Sequence, residues 1–219
     1  MSWLALGLIC ASTLLITSCK KGNDNYAARF YKSGEAKPAV AVVPVIDNSQ
    51  SSLTWDLSDE LTTTIARRMG NDGKLYLVDR ERVKNITKNL SESQNPFSAH
   101  MDWIKTSFEG NDFVVFMELI EHQEVFLNPK ANSSNTDCSA ELHMSVRVRV
   151  VDLRGEKPQI TLQEMVFDNH LIPRPFTSVN FYQVPWGHES FVISPVGLAH
   201  AQLTKEIATR VEDYILLTK

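Results

Sequence analysis

The sequence has little cysteine and lacks the short motifs that mark common metal and nucleotide sites. Its 219 residues include three cysteines and six histidines. No C-x-x-C or H-E-x-x-H pattern occurs, so zinc sites of those kinds are excluded. No G-x-x-x-x-G-K-[ST] or G-x-G-x-x-G loop is present, which leaves nucleotide binding without support. We therefore expect no metal, no cofactor and no nucleotide ligand.

The chain also lacks a surplus of positive charge. It has 22 Lys and Arg residues against 26 Asp and Glu, a net charge of −4, and the basic residues are scattered. Binding to a phosphate backbone requires a basic face, so nucleic acid is not expected as a partner. A hydrophobic content of 43% over this length is ordinary for one globular domain.

No apolar run is long enough to span a membrane, but one stands at the amino terminus. Residues 3–17, "WLALGLICASTLLIT", are uncharged and mostly apolar. They fall short of the roughly 20 residues that a spanning helix needs, which favours a signal peptide at residues 1–18. A short uncleaved anchor is the alternative. The segment "MSWLALG" departs from the usual pattern, because it has no basic residue ahead of the apolar core.

The end of this run, Ile16-Thr17-Ser18-Cys19, resembles the bacterial lipobox, in which an aliphatic residue and two small residues precede a cysteine. The resemblance implies cleavage after Ser18. It also implies diacylglycerol on the Cys19 sulfur and a fatty acyl group such as palmitate on its nitrogen. Several acyl chains would hold the protein on a membrane permanently.

The residues after Cys19 predict a flexible tether and a location in the cell envelope. Residues 19–37 are polar without clear periodicity, so they are typical of a flexible segment that reaches on the order of 25 Å. By the sorting rule of enteric bacteria, the absence of Asp after Cys19 implies the outer membrane, with the protein facing the periplasm. Once residues 1–18 are removed, Cys138 is the remaining ordinary thiol, either free or cross-linked to another chain.

The first half of the folded part predicts strands that alternate with helices. Residues 39–47, "AVAVVPVID", are typical of a strand covered on both faces. An apolar residue every four positions over residues 57–69 predicts a helix, capped by Thr54 or Asp56. A short strand at residues 74–79 follows, and Asp79 can cap the next helix. A third helix is expected over residues 97–108.

The second half changes to the two-residue period of strands. Residues 112–120 predict one strand, and residues 139–153 predict a long alternating strand. Across the turn "RGEKP", residues 159–172 predict a third, which makes this half an antiparallel meander. Ser194 caps a final helix, whose apolar stripe contains Leu203, Ile207, Val211 and either Tyr214 or Ile215.

The order β-α-β-α-α-β-β-β-α predicts a single α/β domain over residues 38–219, with helices packed on a mixed sheet. Within it, an apolar strand, a polar loop, a helix and then "LYLVDRERV", residues 75–83, resemble the amino-terminal domain of TolB, the lipoprotein LpoB and the core of CsgG. The resemblance covers residues 38–127 and the final helix. As a whole, the chain also resembles chlamydial envelope lipoproteins of unknown role.

These resemblances imply a non-enzymatic binding or accessory module for another envelope component, such as a cell-wall synthase or a transport assembly. The alternative is a subunit of an oligomeric export complex like CsgG, for which the strand pair within residues 113–153 would have to supply additional strands. A third hypothesis is an enzyme whose site is assembled from distant residues. A pocket with converging polar groups would favour it.

Two groups of residues are candidates for partner binding, and no residue is predicted to be catalytic. The proline-rich segment 172–191 contains typical interface anchors, namely Arg174, Phe176, Phe181, Tyr182 and Trp186. The alternative is a loop folded back over the core. Arg147 and Arg149 lie on the polar side of the long strand, which is either a docking face for an acidic partner or a solvated sheet face.

The lipid anchor yields the first testable prediction. Cells grown with a clickable fatty acid should label the native protein, and Cys19→Ala should remove the label because the acceptor thiol is lost. The measurement is in-gel fluorescence of the immunoprecipitated protein. Cys138→Ala is the matched control and should keep full labelling; equal labelling of Cys19→Ala and native protein would contradict the anchor.

Overall fold

The computed structural model of the protein describes residues 26–91, 93–127, 139–177 and 179–218. Three predicted features therefore lie outside the described residues: the signal peptide, the lipidated Cys19 with its cleavage site after Ser18, and the thiol of Cys138. These features stay predictions.

The first half of the domain contains three short strands. β1 is Ala39–Val42, and its four residues are all buried. Proline cannot donate a ladder hydrogen bond, and Pro44 separates β1 from β2, Ile46–Asp47. β3 is Tyr76–Leu77. The single strand predicted at residues 39–47 is thus divided in two.

Two helices of this half, α2 and α3, begin where the sequence places their caps. α2 is Leu57–Asn71, and the Asp56 carboxylate accepts a hydrogen bond from the backbone N–H of Asp59. α3 is Arg80–Lys88, and the Asp79 carboxylate accepts from the N–H of Arg82. α4 is Asp102–Ser107, shorter than the predicted helix. Side-chain caps satisfy N–H groups that have no partner within a helix.

Three long strands and the last helices form the second half. β4 is Phe113–Phe126, β5 is Ala140–Asp152 and β6 is Gln159–Ile172. β4 and β6 are both antiparallel to β5, so the predicted meander is confirmed. α5 is Glu189–Val192, and α6 is Pro195–Leu217, capped by Ser194.

The six strands form one mixed sheet with the order β3-β1-β4-β5-β6. β1 lies parallel to β3 and to β4, and β2 continues alongside β4, also parallel. The mixed α/β domain is therefore confirmed. β4 is the junction, because it has parallel neighbours on one side and an antiparallel neighbour on the other.

Helices cover both faces of the sheet. α2 and α6 pack on one face, where the α6 stripe of Leu203, Ile207, Val211 and Ile215 is at most 1% exposed. Ile215 rather than Tyr214 completes the stripe, since Tyr214 is exposed. Val83 of α3 and Ile104 of α4 belong to a second core on the other face. None of the described helices is long and apolar enough to cross a membrane.

Described residues ahead of the predicted domain boundary at residue 38 already contact the domain. α1 is Tyr26–Arg29. The Tyr31 hydroxyl donates to the Lys74 carbonyl oxygen at 2.6 Å, and the Arg29 guanidinium lies 5.6 Å from the centre of the Tyr76 ring. These contacts attach the last part of the predicted tether to the domain, while the boundary itself stays a prediction.

Arg149 does not lie on a solvated sheet face, contrary to that expectation for the polar side of β5. It is buried, and its guanidinium donates to three consecutive carbonyl oxygens of the 96–98 loop and to the Gln163 side chain, at 2.7–3.0 Å. Burial, followed by the charge of Arg147, lowers the pKa of Arg149. Arg147 is half-buried; it pairs with Glu118 and lies 4.2 Å from the centre of the Phe97 ring.

Arg149 should therefore stabilise the domain more than Arg147 does. Arg149→Met should lower the free energy of unfolding by about 3 kcal/mol, because it leaves three loop carbonyls without their charged donor. Arg147→Met is the matched control and should cost about 1 kcal/mol, as expected for a half-exposed pair. Urea unfolding of both variants measures the difference, and equal losses would refute the structural role of Arg149.

Candidate functional site

A chain of hydrogen bonds joins four side chains that are distant in sequence. The Ser51 hydroxyl lies 2.9 Å from Nδ1 of His122, and Nε2 of His122 lies 2.8 Å from Nε2 of His200. Nδ1 of His200 lies 2.8 Å from a carboxylate oxygen of Glu60. The chain thus runs from the loop before α2, through β4 and α6, and back to α2.

Local structure explains why each side chain points inward. Glu60 lies in the first turn of α2, just after the Asp56 cap, and His200 lies near the capped start of α6. On β4, Leu119 faces the main core, so strict alternation would turn Glu121 inward. A β-bulge between Leu119 and Glu121 shifts the register by one residue and buries His122 instead.

The three ionisable groups of this chain are almost fully enclosed. Glu60, His122 and His200 are only 3%, 8% and 2% exposed. The second carboxylate oxygen of Glu60 accepts from the indole N–H of Trp55 at 2.6 Å. Because a buried polar group without a partner is costly, the continuity of the chain is what makes this burial tolerable.

The hydrogen-bond partners determine where the protons lie when both rings are neutral. The ionised Glu60 can only accept, so Nδ1 of His200 carries the proton and its Nε2 is bare. Nε2 of His122 must then donate to His200, which leaves Nδ1 of His122 bare. That nitrogen accepts from the Ser51 hydroxyl. Every hydrogen bond of the chain therefore points from Ser51 toward Glu60.

The surroundings strongly favour the neutral form of His122. Burial, and after it the neighbouring His200, lower the pKa of His122 from 6.5 to about 3. Two imidazoles in Nε2-to-Nε2 contact cannot both be charged, because each nitrogen would then carry a proton.

Aromatic side chains pack around the carboxylate end of the chain. The Trp55 and Phe191 rings meet edge to face with centroids 5.1 Å apart, and Phe191 meets His200 in the same way at 5.7 Å. Gly197 allows this packing. A β-carbon at residue 197 would lie 1.9 Å from the Phe191 carbonyl oxygen, so only glycine lets α5 approach α6 this closely.

The hydrogen-bonded chain connects two cavities. An outer cavity of about 610 Å³ is lined by His122, by Gln50 and Ser52 beside Ser51, and by Phe126 and Phe181. A second, smaller cavity of about 160 Å³ lies at the other end, lined by Glu60, His200, Phe191 and Trp186. The outer cavity is large enough for a small ligand or for several side chains of a partner.

The five candidate anchors of segment 172–191 divide into two groups. Phe181 and Trp186 are half-buried and pack against the main core, as the folded-back loop alternative expects. Phe176 and Tyr182 are 44% and 84% exposed, and Arg174 is exposed beside Phe176 in a 3-10 turn. Partner binding by these residues, and by Arg147 and Arg149, stays a prediction.

The sequence interpretation missed all four residues of the hydrogen-bonded chain, namely Ser51, His122, His200 and Glu60. A signal existed for His200, because it precedes Leu203 and Ile207 by three and seven positions and so lies on the apolar stripe of α6. His122 had no such signal, since the bulge changes the face of the sheet on which its side chain lies. Within the described residues, no group of three or more His, Cys, Asp or Glu side chains is arranged to hold a metal ion.

Comparison with protein families identifies one match over most of the chain. The model of DUF7499, described as a family of unknown function, matches residues 26–219. No curated protein matches the sequence.

Solved structures show a related fold. The hypothetical protein CT253 from Chlamydia trachomatis is 26% identical, with a TM-score of 0.64 over 82% of this chain and 98% of that chain. The resemblance to chlamydial proteins is thus supported for the fold. The LpoB C-terminal domain from Salmonella enterica is 15% identical, with a TM-score of 0.37 over 60% of this chain and 82% of that chain. At such a score, no function is transferred.

Lipoprotein GNA1162 from Neisseria meningitidis is similar at the same low level. It is 14% identical, with a TM-score of 0.36 over 59% of this chain and 78% of that chain. None of these three proteins is described as an enzyme.

The lowered pKa of His122 predicts a defined loss of stability in acid. Below pH 6.5 the unfolded chain protonates His122, whereas the folded protein does so only near pH 3. Between pH 6.5 and pH 3 the unfolded state therefore binds more protons than the folded state. As the pH is lowered through this range, the free energy of unfolding decreases by up to about 1.4 kcal/mol per pH unit. The measurement is urea unfolding at pH 7 and pH 5, where His122 should account for a loss of about 2 kcal/mol.

His122→Gln should remove this part of the pH dependence, because glutamine does not titrate. His143→Gln, on the more exposed side of β5, is the matched control and should keep the dependence of the native protein. If His122→Gln keeps the full slope, the neutral buried state of His122 is wrong.

Proposed function

The chain belongs to DUF7499, a family of unknown function, and we propose that it is a lipid-anchored protein of the bacterial envelope that binds another envelope component as an accessory module. The observation that carries this proposal is the outer cavity together with the exposed aromatic residues beside it. The proposed anchor is Cys19, after cleavage behind Ser18. The proposed location is the periplasmic face of the outer membrane.

The outer cavity and the proline-rich segment form one continuous surface. Thr177, Val179 and Phe181 line the cavity, and Phe176 and Tyr182 flank them along the chain. Large exposed aromatic side chains gain little from water and are typical binding anchors at protein interfaces. Phe181 is held by an edge-to-face contact with Trp55 at 5.9 Å, so the segment is attached to the core while its outer aromatics stay exposed.

A binding role requires no chemistry from this surface, only shape and mixed polarity. The walls of the cavity combine the apolar groups of Leu53 and Phe126 with the amides of Gln50 and Gln123. Such a mixture suits a partner that inserts an apolar side chain and offers backbone groups around it. The tether would hold this surface near the membrane, which raises the effective concentration of any membrane-bound partner.

The alternative of an export subunit like CsgG finds less support. β4 and β5, the strands that it would use, lie in the middle of the sheet. Val115, Met117, Val148 and Val150 of these strands are at most 1% exposed, so β4 and β5 are already needed for the domain core.

In-cell photo-cross-linking tests the binding role. Photoreactive residues at Phe176 and Tyr182 should capture the same envelope protein, because both are exposed and directly adjoin, along the chain, residues that line the outer cavity. A photoreactive residue at Tyr214, an exposed aromatic of α6, is the matched control and should not capture it. Mass spectrometry identifies the adduct, and a reciprocal cross-link from the partner should return to segment 172–191. Identical capture from all three positions, or none from Phe176 and Tyr182, would contradict the proposed surface.

A further inference from the structure

We propose that Ser51 is a nucleophile that takes an acyl group from an ester bound in the outer cavity, with His122, His200 and Glu60 carrying its proton away. This activity goes beyond the binding role and does not depend on it. The third hypothesis from the sequence, a site assembled from distant residues, leads to the same place.

The geometry matches what an activated serine requires. A nucleophile must lie within hydrogen-bond reach of a base, and another group must orient that base. The Ser51 hydroxyl is 2.9 Å from Nδ1 of His122. His200 orients His122 at 2.8 Å, and Glu60 orients His200 at 2.8 Å. Glu60 in turn is held by Trp55 at 2.6 Å.

The outer cavity, which can hold a substrate, lies next to Ser51, although Ser51 is not one of its lining residues. Its neighbours Gln50 and Ser52 line the outer cavity, as does its base His122, and Ser51 itself is half-buried. Gln50 has a φ angle of +55°, which is rare for a residue with a side chain. Backbone conformations of this kind cost energy and cluster at functional sites. The Leu53 N–H donates to the Ser51 oxygen at 3.3 Å, which stabilises negative charge there.

The second histidine solves a problem that the first would have alone. A base whose pKa is lowered to about 3 holds a proton poorly. When Nδ1 of His122 takes the Ser51 proton, however, the proton on Nε2 can pass over 2.8 Å to Nε2 of His200. His122 is then neutral again, and the positive charge lies on His200 against the Glu60 carboxylate. The charge therefore ends in an ion pair.

The reaction balances with an ester and water as the only reactants. The Ser51 oxygen bonds to the acyl carbon, and its proton enters the chain at His122. The bond from the acyl carbon to the leaving oxygen breaks, and that oxygen takes the proton back from His122 as the relay reverses. Water then attacks the acyl-serine with the same proton transfers, which releases the acid and restores Ser51.

The cavity walls indicate the class of ester. Leu53, Phe126, Val179 and Phe181 provide apolar surface for an acyl chain or an aromatic group, and Gln50 and Gln123 provide amides for the polar part. We therefore infer an ester with an apolar acyl group as the substrate class.

A fluorophosphonate probe on the full chain in detergent tests the nucleophile. The probe should attach to Ser51, located by peptide mass spectrometry, and hydrolysis of p-nitrophenyl butyrate should depend on the same residue. Ser51→Ala should lose both signals, whereas Ser91→Ala, at an exposed serine after α3 that lines neither cavity, should keep them. His200→Gln should slow labelling at least about a hundredfold, because His122 then loses the group to which it passes the Ser51 proton. Absence of label from Ser51 in the folded native protein, or equal hydrolysis by Ser51→Ala, overturns the proposal.

Ser51→Cys separates the proton relay from any folding defect in the histidine variants. The thiol should react with iodoacetamide with a midpoint well below pH 8.5, the usual pKa of cysteine, because the relay accepts its proton. Ser52→Cys should show the ordinary midpoint. Thermal melting verifies that both variants fold, and a Ser51→Cys midpoint equal to that of Ser52→Cys would refute the relay.

Discussion

The hydrogen bond between the two Nε2 atoms of His122 and His200 is the constraint on which the interior of this domain depends. It joins the central strand β4 to α6, the longest of the described helices, between two side chains that are almost fully buried. A neutral imidazole has one donor and one acceptor, so the orientation of each ring depends on the other. Ser51 and Glu60 bind the remaining ring nitrogens, and Trp55 binds the second carboxylate oxygen of Glu60. A network of this kind specifies one packing of α6 on the sheet, because a slip would leave several buried groups unpaired.

The β-bulge of β4 lies just beyond the part of the strand that has a parallel neighbour on one edge and an antiparallel neighbour on the other. On one edge, β4 has the parallel neighbours β1 and β2 from the first half of the domain. On the other side, it has the antiparallel neighbour β5. Up to the bulge, alternate residues of β4 fill the apolar core. Beyond the bulge, the extra residue turns the imidazole ring of His122 to the same face. The outer cavity lies at this end of the strand.

Local patterns predicted the elements well, and long-range geometry explains what they missed. The alternation over residues 139–153 and 159–172 identified β5 and β6, and Asp56, Asp79 and Ser194 marked helix starts, because these signals depend on near neighbours only. β1 lies between β3 and β4 and pairs with residues 37 and 73 positions away, and no local pattern encodes these pairings. The His122 position needed knowledge of the bulge. Composition could not show that Arg149 points to a loop, or which aromatics of segment 172–191 face inward.

The close approach at Gly197 has a consequence for how sequences of this family can change over time. The position has no room even for a methyl group, because backbone atoms of Phe191 occupy the space where a β-carbon would lie. A flexible neighbour could move aside, but a backbone carbonyl cannot move without α5. Evolution at residue 197 is therefore tied to the segment ahead of α6. A lineage that replaces this glycine must at the same time rebuild residues 189–194. That change would also move the Phe191 ring, which packs on Trp55 and His200.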